Sequence, residues 1–175
     1  MLLMLLFAIF LFACNNEETT TGTASSDSSG KKETVNLPYS VEKIPDWERG
    51  THDNLSIAMN TLRAFEVNDM NALRQNLADS VVFYANNISF KGTRDSLVNF
   101  FRTLRSGIDT MYIRMHDYES VKSKNNGEEW VSLWYTEATT LKGKNIDSTM
   151  VMDDIKIVNG KVALIDSKFR KLVKK

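Results

Sequence analysis

One cysteine, two histidines and two prolines in 175 residues leave few chemistries open. With Cys14 alone, no disulfide can form within the chain. His52 and His116 stand far apart, and with that single cysteine they make no metal-ligand spacing, so no metal is expected. The eight glycines are scattered. None forms a phosphate-cradling loop or a Gly-x-Ser-x-Gly elbow, and no cofactor is expected. Lys and Arg number 22 and Asp and Glu number 22, so the formal net charge is zero. Without a basic excess there is no electrostatic case for nucleic acid. No apolar run reaches the ~20 residues that a membrane-spanning helix needs.

What is present begins at the first residue. Met1 to Ala13 is uncharged and apolar, and Cys14 follows it. A run of this length reads as a signal-peptide core over residues 1–13. Leu11-Phe12-Ala13-Cys14 resembles the lipobox of bacterial lipoproteins, although no Lys or Arg precedes the apolar run. The resemblance implies a lipidated Cys14, carrying palmitate-type chains, as the membrane partner of the mature chain. Stable anchoring takes two or more acyl chains, at roughly 0.8 kcal/mol per buried methylene. The implied location is the cell envelope, at the outer membrane, on its periplasmic or cell-surface side. Asn15-Asn16-Glu17-Glu18 resembles the surface-export signals of Bacteroidetes lipoproteins. Residues 15–36 are rich in Ser, Thr, Gly, Asn and charge, a composition that cannot offset its ordering entropy. Residues 14–45 therefore read as lipidated Cys and disordered tether, whose flexible stretch of roughly twenty residues would span about 25 Å on average. Pro38 and Pro45 mark an extended lead-in, and one folded domain is expected over 46–172.

Within that domain the periodicities change in a clear order. From Asp53 to Val67, apolar Leu55, Ala58, Met59, Leu62 and Phe65 share a helical face. Asn68 or Asp69 can cap a second short helix bearing Met70, Leu73 and Leu77. Val81–Ala85 and Ile88–Phe90 read as strands. Thr93 caps a third helix with Leu97, Phe100, Phe101 and Leu104 inward. Four longer strands follow at about 109–121, 129–141, 146–158 and 161–171. Asn125-Asn126-Gly127, Lys142-Gly143-Lys144 and Asn159-Gly160 separate them. The last is the strongest turn signal, because a type I′ turn needs positive φ at both residues.

This order, with Phe90-Lys91-Gly92 before the third helix and Asp153 ahead of Asn159-Gly160-Lys161-Val162, resembles the nuclear transport factor 2-like superfamily. That superfamily includes SnoaL-like polyketide cyclases and steroid isomerases, and domains without known activity. The resemblance implies an α+β fold, three N-terminal helices packed in a curved, mainly antiparallel sheet that forms a cone with a pocket. It also implies carboxylate chemistry inside the cone, and a sheet face that pairs two copies of the chain.

The Asn159-Gly160 turn sets a register. Val158 opposes Lys161, Ile157 opposes Val162 and Ile155 opposes Leu164, which makes their side the buried one. Extended further, Asp153 falls opposite Asp166 on that face. Asp154, Lys156, Lys161 and Ser167 then lie on the solvated side. Two opposed carboxylates on an apolar face favour protonation of one, as a general acid–base pair requires. Asp153 and Asp166 are the catalytic candidates. Lys168 and Arg170 continue the same face and could instead neutralise both acids. A two-residue turn at 142–144 would add Ser132, Trp134 and Thr136 to that side. Trp130 and Trp134 would then wall a pocket for a small apolar ligand. A three-residue turn would put them outside. His116 alternates with Tyr112, Arg114 and Tyr118. Tyr112, Tyr118, Val131, Leu133 and Tyr135 are the side chains expected on an outer sheet face, where a homodimer could form. The first expectation is thus a non-catalytic binding domain on a lipid tether. The alternative is an acid–base enzyme using Asp153 and Asp166.

Overall fold

The computed structural model describes residues 38–39, 46–141 and 146–172. The apolar run, Cys14, most of the tether and the loop 142–145 lie outside the described residues. Residues 38 and 39 form a bend, and the domain is a separate unit.

The domain runs β1 (Trp47–Arg49), α1 (His52–Glu66), α2 (Met70–Asn76), β2 (Leu77–Ala85), β3 (Ile88–Thr93), α3 (Arg94–Ser106), β4 (Ile108–Ser123), β5 (Glu129–Leu141), β6 (Ile146–Val158) and β7 (Lys161–Lys171). One seven-stranded sheet has the order β1-β4-β5-β6-β7-β2-β3. Its pairings are antiparallel except β2 with β7. The three helices are not grouped at the N-terminus as expected. β1 precedes α1, and the β2–β3 hairpin separates α2 from α3. β1 left no periodic signal because it is three residues long and wholly exposed. Leu77, expected on the second helix, is the fully buried first residue of β2.

The helix starts follow their caps. The Thr51 hydroxyl accepts from Asn54 N at 3.2 Å, Asp69 accepts from Asn71 N and Ala72 N, and Thr93 accepts from Ser96 N. Each cap satisfies amides that the first helical turn cannot pair internally. The C-terminus of α1 is held from outside: Arg105 Nε donates to Phe65 O at 3.0 Å and Nη2 to Glu66 O at 3.1 Å. Leu73 of α2, Leu97 of α3 and Leu133 of β5 are among the fully buried side chains that join helices to sheet. Phe101 meets Phe65 and Phe83 with ring centroids 5.2 and 5.0 Å apart. Leu104, expected inward, is exposed at the edge of this layer.

Three register details decide which side chains enter the cone. The first is the last hairpin. Asn159 and Gly160 have φ of +50° and +68°, and Val158 opposes Lys161 and Ile157 opposes Val162, as the turn predicts. The next pair is Lys156 with Leu164, so Ala163 is an extra residue on β7. This bulge reverses every later side chain of β7. Asp153 therefore opposes Ser167, and Asp166 opposes Asp154 on the other face. The expected pairing of Asp153 with Asp166, and of Ile155 with Leu164, is corrected accordingly.

The second detail is β5 against β6, where Leu133 opposes Asp153 and Tyr135 opposes Val151. Val131, Leu133 and Tyr135, expected outside, are buried on the inner face. Trp130, Ser132, Trp134 and Thr136 take the outer face, opposite Lys156, Asp154, Met152 and Met150. The third is a shift in β4 between Met115 and Asp117, which leaves His116 without a cross-strand partner. Before it Tyr112 opposes Ala138; after it Tyr118 opposes Leu133. Tyr112 and Tyr118 therefore do not share a face. Of the five side chains expected on the outer sheet, Tyr112 remains there.

Candidate functional site

Asp153 is the polar centre of the cone. Its neighbours along the inner face of β6 are Val151, Ile155 and Ile157, all buried, and Asp153 itself is 4% exposed. The Tyr135 hydroxyl, reaching across from β5, donates to Asp153 Oδ2 at 2.8 Å. The Ser167 hydroxyl, turned inward by the Ala163 bulge, donates to Oδ1. Burial pushes the Asp153 carboxyl up to about 6 against the pull of both hydroxyl donors. The Asp154 charge adds to the rise and the Lys168 charge opposes it. Burial also raises the Tyr135 phenol well above its usual range, and the adjoining Asp153 charge raises it further. The phenol is thus a donor across the neutral range, and the carboxyl accepts from it and from Ser167.

These groups lie in the wall of a cavity of about 350 Å³. Phe65, Phe83, Phe101, Phe169 and Met111 supply much of its apolar lining, and Leu104 and Ile108 also border it. A second carboxyl, Glu137, lines the same space from the inner face of β5. Burial raises its pKa first, and the Asp153 charge second, while Arg105 draws it down. A cavity of this size with few polar groups is suited to a compact apolar molecule carrying one or two polar atoms.

The other expected site residues assemble elsewhere. Lys168 Nζ lies 2.9 Å from both Asp154 Oδ2 and Asp166 Oδ2, on the outer face. Asp166 is thus the partner of a surface cation and has no place beside Asp153. The Ser132 hydroxyl donates to Asp154 Oδ1 at 2.6 Å, extending the same outer cluster. Arg170 points at the Met150 sulfur, 3.6 Å away, and touches neither acid of the cone. Trp130 stacks under Lys156, whose Nζ is 5.6 Å from the ring centroid, and that lysine pairs with Glu128. Trp134 borders an open depression of about 620 Å³ with Trp47, His52 and Tyr118, away from Asp153. Thr136 shares a 2.7 Å hydrogen bond with His116 Nε2. Trp130, Trp134, Ser132, Thr136, Lys168 and Arg170 therefore do not line the cone. Among the described residues no group of three His, Cys, Asp or Glu side chains could hold a metal ion.

Sequence reasoning missed Tyr135, Ser167 and Glu137. The signal for Tyr135 and Glu137 was the length of the 142–144 turn: an odd-numbered loop places both inside with Asp153. Ser167 depended on a bulge at Ala163, where no glycine or other break marks the strand.

Comparison with known proteins bears on this architecture. No family profile matches the chain, and no curated protein is similar to it in sequence. Solved structures do match. An epoxide hydrolase of the LEH-like kind from M. tuberculosis superposes with a TM-score of 0.58 at 15% identity, over 69% of this chain and 84% of that one. An NTF2-like protein of unknown function from Burkholderia pseudomallei K96243 gives 0.58 at 14% identity, over 69% and 92%. A hypothetical protein of ketosteroid isomerase-like fold from Catenulispora acidiphila, solved in complex with trimethylamine, gives 0.53 at 12%, over 63% and 82%. The domain has the nuclear transport factor 2-like cone fold. Its structural neighbours include both enzymes and proteins of unknown function.

Proposed function

We propose that this chain is an envelope lipoprotein, anchored through Cys14, whose cone domain binds a small, mainly apolar ligand. The observation that carries the binding reading is the Asp153 site: a buried carboxyl, held by two hydroxyls, in an apolar cavity of about 350 Å³. The Leu11-Phe12-Ala13-Cys14 segment supports the anchor. A Cys14→Ser variant should incorporate no labelled palmitate, whereas the parent chain should. For the cavity, a thermal-shift series with compact neutral alcohols and ketones should raise the melting temperature, because a ligand of the native state alone stabilises it. Leu104→Trp, at an exposed position on the cavity wall, should abolish that rise. Equal shifts in both proteins would place the binding elsewhere.

A second reading rests on the same carboxyl. A group raised to about 6 is suited to exchange a proton near neutral pH, so Asp153 could serve as the base of an isomerase-like or cyclase-like reaction. Asp166 has no part in that reading. NMR titration of the Asp153 side-chain carbon is the test, and an unperturbed midpoint would remove it.

A further inference from the structure

Resting on the reading of the cone as a binding site, we propose that its ligand is a small organic cation, an ammonium head on a compact hydrocarbon body. Among the described lining residues, the charged ones are Asp153 and Glu137; no Lys, Arg or His joins them. Both acids stand on inner faces of adjacent strands, Glu137 opposite Thr149 and Asp153 opposite Leu133, so one cavity receives both carboxyls. The cations nearest in influence are committed elsewhere. Arg105 donates to the Phe65, Glu66 and Ile108 carbonyls, and Lys168 bridges Asp154 and Asp166 on the outer face.

A paired acid in the same domain shows the contrast. Glu66, 8% exposed, accepts from Ile113 N at 2.9 Å and from Arg63 at 2.6 Å. Glu137, partly buried, has no hydrogen-bond or ion-pair partner among the described residues; burial and the Asp153 charge disfavour its ionised form, and the Arg105 charge favours it without a direct contact. Buried charges are normally paired, and a guest that brings a positive charge would supply the missing partner. A neutral guest would leave the two acids repelling one another, and an anion would add to that repulsion. The aromatic lining suits the same guest, because ring faces attract a desolvated ammonium group.

The probes are three molecules with one hydrocarbon cage: 1-adamantylammonium, 1-adamantanol and 1-adamantanecarboxylate. Each is titrated calorimetrically into the full chain at pH 8. The ammonium should bind at least about tenfold more tightly than the alcohol, and the carboxylate most weakly. Glu137→Gln should reduce the ammonium-to-alcohol ratio about threefold or more. Alcohol binding equal to or tighter than ammonium binding overturns the cation proposal while leaving a small-ligand site intact. A preference that survives Glu137→Gln unaltered overturns the two-carboxylate site. Binding of none of the three overturns both readings.

Discussion

Asp153 and Asp154 are neighbours in sequence and opposite in circumstance. One faces the cone, where two hydroxyls hold it and burial lifts its pKa to about 6. The other faces outward, where Lys168 pairs it with Asp166 at 2.9 Å. A strand alternates its side chains between faces, so consecutive residues can have unrelated roles. The difference teaches that the same carboxylate is a candidate site where its charge is left uncompensated, and a surface ion pair where it is not. β5 repeats the contrast one strand away, with Leu133 fully buried opposite Asp153 and Trp134 opposite Met152.

That second pair provides the largest expected effect. Leu133→Ala should cost about 3 kcal/mol, the usual loss for a large-to-small change in a packed core. Trp134→Ala, on the partly exposed face, should cost less than about 1 kcal/mol. Urea denaturation of both variants measures the gap. Equal costs, or a larger loss from Trp134→Ala, would mean that β5 has slipped by one residue and that Tyr135 and Glu137 no longer face the cavity.

A smaller effect, of opposite sign, comes from Asp153 itself. Its folded-state pKa, about 6, lies above the ordinary aspartate value of 3.8, so its protonated form favours folding. Stability linked to this group is full below pH 4 and falls as pH rises toward and through 6. The ionised carboxylate should therefore cost about 2–3 kcal/mol at pH 8, taking roughly 1.4 kcal/mol per pH unit of displacement. Asp153→Asn removes the charge while keeping an acceptor for Tyr135 or Ser167. It should be more stable than the parent at pH 8 by about 2 kcal/mol and nearly equal to it at pH 4. A variant that is less stable at both pH values would show that the carboxylate is compensated within the free domain.

How far all this was legible in the sequence differs by level. The order of elements was readable because Leu55, Ala58, Leu62 and Phe65 repeat at helical spacing, and because Asn159-Gly160 permits one kind of turn. Thr93 and Asp69 were visible as caps for the same local reason. Asp153 was found correctly on the buried face, since Ile155 and Ile157 mark that face without help from β7. Its partner was misassigned because a period of two carries a register forward only until a bulge. Ala163 gives no local sign of one, and the parallel pairing of β7 with β2 shifts across the same residue, from Leu77 with Val162 to Val82 with Leu164. The tryptophans misled in a related way. Trp130 and Trp134 look like pocket walls by residue type, but their side was fixed by a turn whose length the sequence left open.

The smallest expected effect tests the outer half of the comparison. Lys168 is about half exposed, so its bridges to Asp154 and Asp166 should contribute no more than about 1 kcal/mol together. Lys168→Ala should lower stability by that amount in dilute buffer, and the loss should shrink in 1 M salt as the remaining repulsion between the two aspartates is screened. Adding Asp166→Asn to Lys168→Ala should recover part of it, since one of the two facing charges is then gone. The same variant also connects the two faces. Lys168 draws the Asp153 pKa down without touching it, so its removal should move the Asp153 midpoint further above 6. NMR titration of Asp153 in Lys168→Ala measures this. An unchanged midpoint would mean that the sheet isolates its two faces electrostatically, leaving burial and the Tyr135 and Ser167 hydroxyls as the dominant influences on the candidate site.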